Sequence, residues 1–150
     1  MFIEAQQSKE EIFHNIQKEL LRATVDKKHP FRYVILGSTG NGTTQIRNVV
    51  LRVITKASHF LIYTDYRSSK IQEIVENPEV SLLFYHPSKK LQVRLQGKAF
   101  IHRGDDWAKK EWEKVQGEAV RAYTSKKAPG SEIKSPQEAY EWTDPALENY

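Results

Sequence analysis

Residues 67–70 read Arg67-Ser68-Ser69-Lys70 and follow directly on Tyr63-Thr64-Asp65-Tyr66. Two cations and two hydroxyls within four positions are the groups that bind an oxyanion. Guanidinium and ammonium supply charge-assisted hydrogen bonds, and the hydroxyls supply further donors. The apolar run before them, from His59 to Tyr63, reads as a strand, and 70–76 reads as a short helix capped by Ser68 or Ser69 and ended by Asn77-Pro78. A helix starting here would add unpaired backbone N–H groups and the positive end of its dipole. That is phosphate chemistry, although a solvated helix cap uses the same residue types.

Other stretches are weaker. Arg47 and Arg52 bracket the apolar run R-N-V-V-L-R. Their odd separation puts them on opposite faces of a regular strand, so only a bulge would let both reach one ligand. Gln92 and Arg94 share the polar side of L-Q-V-R-L-Q-G-K-A-F-I, which fits a solvated face or a ligand face. The five histidines, 14, 29, 59, 86 and 102, show no metal-ligand spacing, and His29 and His86 precede prolines and read as turn residues. No G-x-S-x-G, H-E-x-x-H, P-loop or dinucleotide fingerprint occurs. Asp105-Asp106 reads as charge at a helix start. Phe60, Tyr63, Phe84 and Tyr85 lie in strong strands, where packing explains them better than base stacking.

The elements that must position these residues are legible. Ser8 and Glu11 have capping-box spacing, and Ile12, Phe13, Ile16, Leu20 and Ala23 recur at helical intervals, which predicts an amphipathic helix over 9–24. Pro30 blocks its continuation. A strand from Phe31 then enters Gly40-Asn41-Gly42, a hairpin signal, and returns through T-T-Q-I-R-N-V-V-L-R-V-I. A third strand follows over 59–64. V-S-L-L-F-Y-H is almost continuously apolar and predicts a strand covered on both faces. The run 91–101 alternates as a strand, 105–123 carries one apolar helical stripe, and the chain turns polar from Ser125. Five mostly antiparallel strands with peripheral helices predict a mainly β fold, a small barrel.

With 150 residues and 39% hydrophobic content, the chain has the size of a single domain. A net charge of +4 with both signs interspersed permits an acidic ligand but offers no long basic stripe for nucleic acid. The absence of cysteine excludes disulfides and thiolate metal sites and fits the cytoplasm. The first residues, M-F-I-E-A-Q-Q-S-K-E-E, carry no basic or apolar region, so a signal peptide is not expected, and no apolar run approaches membrane length.

Taken in order, R-N-V-V-L-R (47–52), Y-T-D-Y-R-S-S-K (63–70), Asn77-Pro78 before S-L-L-F-Y-H, and L-Q-V-R-L-Q-G-K-A (91–99) resemble the pyridoxamine 5′-phosphate oxidase-related flavoproteins, in the oxidase-like branch. The resemblance spans roughly residues 30–103. It implies a split β-barrel binding FMN at a homodimer interface, with a small-molecule substrate and neither nucleic acid nor membrane as partner. By position it assigns Arg47 to the FMN phosphate, the backbone of Val49, Val50 and Leu51 to the flavin, and Tyr63 and Thr64 to the cofactor wall. Arg67, Ser68, Ser69 and Lys70 fall at the phosphate, Gln92 at the flavin ring, plausibly from the other subunit, and Arg52 where the family's oxidase has a lysine near flavin and substrate.

The departures are specific. Ser69 replaces the second basic residue of the phosphate loop, and Lys110, Lys114 and Glu118 stand near where the oxidase holds its phosphorylated substrate with Tyr, Arg and Ser. The family's C-terminal strand with a Trp and an Arg would lie past Tyr150. The resemblance implies an FMN-dependent oxidoreduction, with hydride taken up at the flavin, on an unknown substrate, and the departures count against pyridoxamine phosphate. The alternative is a non-catalytic protein of the same fold that sequesters a flavin or haem.

Overall fold

The computed structural model describes residues 3–116 and 118–142. They form two compact units, one of residues up to Tyr63 together with Glu79–Lys98, the other of Thr64–Pro78 together with residues from Ala99 on. Among the described residues no helix is long and apolar enough to cross a membrane.

The first unit begins with α1, Lys9–Val25. The Ser8 hydroxyl accepts from the Glu11 N–H at 3.2 Å, and the Glu11 carboxylate accepts from the Ser8 N–H at 2.8 Å, so the capping box forms as the spacing predicts. At the other end the Arg32 guanidinium donates to the carbonyls of Ala23 and Thr24 at 3.2 and 2.9 Å, a cation placed where the helix dipole favours it. A short 3₁₀ turn, Pro30–Arg32, leads into the sheet.

The sheet comprises β1 Tyr33–Gly40, β2 Thr43–Ile54, β3 Phe60–Ile62, β4 Glu79–His86 and β5 Leu91–Lys98, ordered β3-β2-β1-β4-β5, and every pairing is antiparallel. The β1–β2 turn is Asn41-Gly42, with φ of +50° and +72°. Both central residues of a two-residue hairpin loop need positive φ, which explains the Asn-Gly pair. Alternation places Val34 and Leu36, Val49 and Leu51, Phe84, and Leu91 and Val93 in one core with Leu20, Ala23 and Phe31. The rings of Phe31 and Phe84 meet edge to face at 5.4 Å. Burying each such side chain stabilises by roughly 1.5–3 kcal/mol, and this core clamps α1 to the sheet.

In the second unit, α2 spans Ser69–Glu76 and ends at Asn77, followed by Pro78. α3 spans Asp106–Trp112, and a single helical turn, α4, spans Glu118–Arg121. A 3₁₀ turn over Pro136–Tyr140 and an isolated bridge between Ser125 and Trp142 organise the polar C-terminal stretch.

Four expectations are corrected. β4 is not covered on both faces: Phe84 and His86 are buried, but Tyr85 is 54% exposed, because in this chain only the core side of the sheet is covered. β5 stops at Lys98, and the Ala99 N–H donates instead to the Pro78 carbonyl. β3 is three residues long, so Tyr63 and Thr64 lie past its end. The single helix expected over 105–123 is two short helices. After Trp112 the Lys114 and Val115 N–H groups bond three residues back rather than four, tightening the last turn.

Candidate functional site: the strand-to-helix loop and the β2 ridge

The loop between β3 and α2 gathers two of the residues read as phosphate-seeking, Ser68 and Lys70, with Thr64, which the resemblance assigns to the cofactor wall. The Lys70 ammonium donates to the Thr64 hydroxyl at 2.9 Å and to the Ser68 hydroxyl at 2.8 Å, and those hydroxyls lie 3.4 Å apart. Ser68 is the N-cap residue of α2, yet its hydroxyl donates to the Asp65 carbonyl and makes no cap bond to the helix. The first turn of α2 is thus presented without a side-chain acceptor, beside an ammonium and two hydroxyls. Ser69 is the exposed first residue of that turn.

Arg67 points to different partners. Its Nε and Nη2 donate to the two carboxylate oxygens of Asp65 at 3.0 and 2.6 Å, while Nη1 and Nη2 donate to the carbonyls of Lys126 and Ser125 at 3.0 and 2.5 Å. The Asp65 carboxylate also accepts the Arg67 backbone N–H at 2.8 Å and is almost fully buried. Its hydrogen bond raises the Arg67 pKa above the usual value. Neighbouring Tyr66 carries the guanidinium of Arg103 3.7 Å over its ring.

The residues read from β2 lie in the first unit. Arg47 is half-buried on the same side as Val49 and Leu51, donates to the buried Ser38 hydroxyl on β1, and reaches the Gln45 carbonyl at 3.4 Å. Val49 pairs with Val34 and Val50 with Tyr33. Leu51 pairs with Ile62, after which the register with β3 shifts before Val53, leaving Arg52 as the extra residue of a bulge. Simple alternation from Arg47 therefore does not fix the direction of Arg52, whose guanidinium lies 5.8 Å from the Tyr63 ring centroid. Gln92 sits exposed on β5, opposite exposed Tyr85.

Sequence reasoning missed two groupings. One is Asp65, whose signal was the D-x-R spacing with Arg67. The other joins Glu19, His29 and His86, all buried. The Glu19 carboxylate lies 3.0 Å from His29 Nε2, 3.9 Å from His86 Nε2 and 2.6 Å from Lys89 Nζ. The three side chains have the spacing of metal ligands, but His29 Nδ1 accepts the Phe31 N–H. Its proton is then on Nε2 and directed at Glu19, on the nitrogen a metal would need. Burial raises the Glu19 pKa, yet the hydrogen bonds from Lys89 and His29 outweigh it and hold the carboxyl below its usual range. Burial, followed by the charge of Lys89, pushes His86 down.

The five strands form an antiparallel sheet with a bulge in its second strand, the split half-barrel arrangement that the structural relatives below share. The chain belongs to the family described as the pyridoxamine 5′-phosphate oxidase FMN-binding domain, matched over residues 9–103. It is 39% identical over 70 residues to the pyridoxine/pyridoxamine 5′-phosphate oxidase of Coxiella burnetii, covering 47% of this chain and 35% of that protein. To the enzyme of the same name from Leptospira interrogans it is 44% identical over 59 residues, covering 39% of this chain and 27% of that one. It thus spans about a third of the length of these relatives. Among solved structures, a pyridoxamine 5′-phosphate oxidase-related FMN-binding protein of Nostoc punctiforme superposes with a TM-score of 0.70 at 22% identity, covering 91% of this chain and 75% of that one. PhzG of Burkholderia lata, in complex with tetrahydrophenazine-1-carboxylic acid, superposes with 0.64 at 16% identity, covering 91% and 65%. These two share the fold.

Proposed function

We propose that this chain binds FMN and serves as an FMN-dependent oxidoreductase of a small substrate. The observation that carries the reading is the Lys70–Thr64–Ser68 cluster at the first turn of α2, which has no side-chain cap. A phosphate monoester carries close to two negative charges at neutral pH, and ammonium, hydroxyls and helix N–H groups are the complement it needs. The residues present fit the group. Lys70, Thr64, Ser68 and Ser69 hold the phosphate. For Arg47, the backbone of Val49–Leu51, Arg52 and Tyr63, membership of an FMN-binding family supports the assignment to the cofactor.

When bound, the flavin supplies the hydride and electron chemistry. The chain's own residues bind, orient and shield. No residue assigned here is needed as a general acid or base. Lys110 and Lys114 stand near where the family's oxidase has a tyrosine and an arginine, which favours a substrate other than pyridoxamine phosphate.

The partner we propose is a second copy of the chain. In the sheet's outer face, Asn48, Ile35, Leu83 and Arg94 form one register row, with exposed Tyr33, Ile46 and Tyr85 around it. Exposed apolar sheet faces of this kind mark interaction surfaces.

The test is the visible spectrum of purified protein after excess FMN and gel filtration. Retained flavin absorbance at about one FMN per chain, bleached by NADH or NADPH and restored by air over repeated cycles, is expected. A colourless protein contradicts cofactor binding. Retained flavin that no donor reduces supports a sequestering role instead.

A further inference from the structure

We infer that Arg67 is a positioning residue that couples the phosphate cradle to the C-terminal segment 124–142, rather than a ligand of the phosphate; this rests on the cradle proposed above.

The resemblance in sequence places Arg67 on the phosphate, but its guanidinium is committed elsewhere. It makes two hydrogen bonds to Asp65 and one each to the carbonyls of Ser125 and Lys126. Four of its five N–H donors are used by these partners, and a phosphate that took over the side chain would draw it from a carboxylate that is 2% exposed. That would leave a buried anion uncompensated, which folded proteins avoid.

Asp65 in turn shapes the cradle. Its carboxylate receives the Arg67 N–H, and its carbonyl receives both the N–H and the hydroxyl of Ser68, at 3.1 and 2.8 Å. The hydroxyl so fixed is one of the two that Lys70 gathers. On the far side, Ser125 forms a bridge with Trp142, and the Lys126 N–H donates to the Glu141 carbonyl at 2.9 Å. Arg121 lies 5.0 Å over the Trp142 ring, and Thr124 is buried. Arg67 is therefore the link between a strand-like pairing of 125–126 with 141–142 and the turn that presents Ser68. Its planar fork meets one carboxylate and two consecutive carbonyls together, which a lysine ammonium cannot do. Whatever orders the cradle then orders the segment, and the coupling works in both directions.

Amide hydrogen exchange on the full chain, with and without FMN, tests this. In flavin-free protein, Arg67→Ala and Arg67→Lys should both speed exchange in 124–142 by about tenfold, as loss of a charge-assisted hydrogen-bond set implies. Lys70→Ala, which leaves the Asp65–Arg67 and Arg67–carbonyl bonds in place, should speed exchange there far less than the Arg67 variants do. FMN should slow exchange in both 64–76 and 124–142 of the wild type, but only in 64–76 of the Arg67 variants.

Arg67→Lys carries the test if Arg67→Ala does not fold. Unchanged flavin-free exchange in an Arg67 variant whose FMN affinity falls as far as that of Lys70→Ala would make Arg67 a direct ligand and overturn the inference. Wild-type protection of 64–76 alone would overturn the coupling while the proposed function stands. No protection anywhere would overturn the coupling and the proposed function together, and the flavin-free comparison would still decide whether Arg67 clasps the segment.

Discussion

Lys89 Nζ lies 2.6 Å from Glu19 Oε1, joining the turn after β4 to the buried face of α1. The same carboxylate accepts a hydrogen bond from His29 Nε2 at 3.0 Å and one from Arg22 at 3.4 Å. The first helix is thus held by a polar anchor as well as by Leu20 and Ala23 in the core. Removing the charge leaves Lys89 and His29 facing an inadequate acceptor.

Glu19→Gln should therefore cost about 2 kcal/mol, less than splitting a fully buried pair because Lys89 still reaches water. Urea unfolding reads this as a lowered midpoint with an unchanged slope.

The same cluster sets a pH dependence. The His86 pKa is lowered in the folded chain, so the unfolded chain takes up a proton first, near pH 6.5. The contribution of neutral His86 is fully present above that value and is lost as pH falls below it. Glu19, also lowered, contributes in full above its unfolded value of 4.5, and that contribution is lost as pH falls from there through its folded value. The unfolding temperature should fall in two stages from pH 8 to pH 3, and His86→Gln should flatten the first stage only. A wild-type curve level between pH 7 and 5 contradicts this.

Ser8→Ala removes one of the two reciprocal bonds of the capping box and should cost about 1 kcal/mol. Circular dichroism during denaturation is the readout.

Charges on the outer sheet face should prevent self-association. Ile35→Glu combined with Tyr85→Glu should shift the sedimenting species from two chains to one with little change in stability, since Ile35 is 37% and Tyr85 54% exposed in the single chain. A wild-type protein that already sediments as one chain contradicts the proposed partner.

Local signals were the ones the sequence displayed well. The capping box at Ser8 and Glu11, the Asn41-Gly42 turn, the alternation of Leu91 and Val93 against Gln92 and Arg94, and the α2 stop at Asn77 each depend on neighbours within a few positions. What stayed hidden depends on distant partners. His86 looked like a turn residue because Glu19 approaches it only through the docking of α1. The tie of Arg67 to Ser125 and Lys126 was hidden because the carbonyls it binds lie 58 and 59 residues away. A continuously apolar β4 suggested burial on both faces, whereas the same residues leave Tyr85 on an open face. The bulge at Arg52 shows in strand pairing and not in composition.

The central claim, that the α2 N-terminal loop holds the phosphate of FMN, is tested most directly by comparing FMN with riboflavin, which lacks that phosphate. Dissociation constants follow from flavin fluorescence titration of the wild type and Lys70→Ala. A charge-assisted contact worth about 1.5–3 kcal/mol predicts a loss in FMN affinity of about tenfold to hundredfold, with riboflavin affinity unchanged. Equal weakening of both flavins, or of neither, would contradict the assignment.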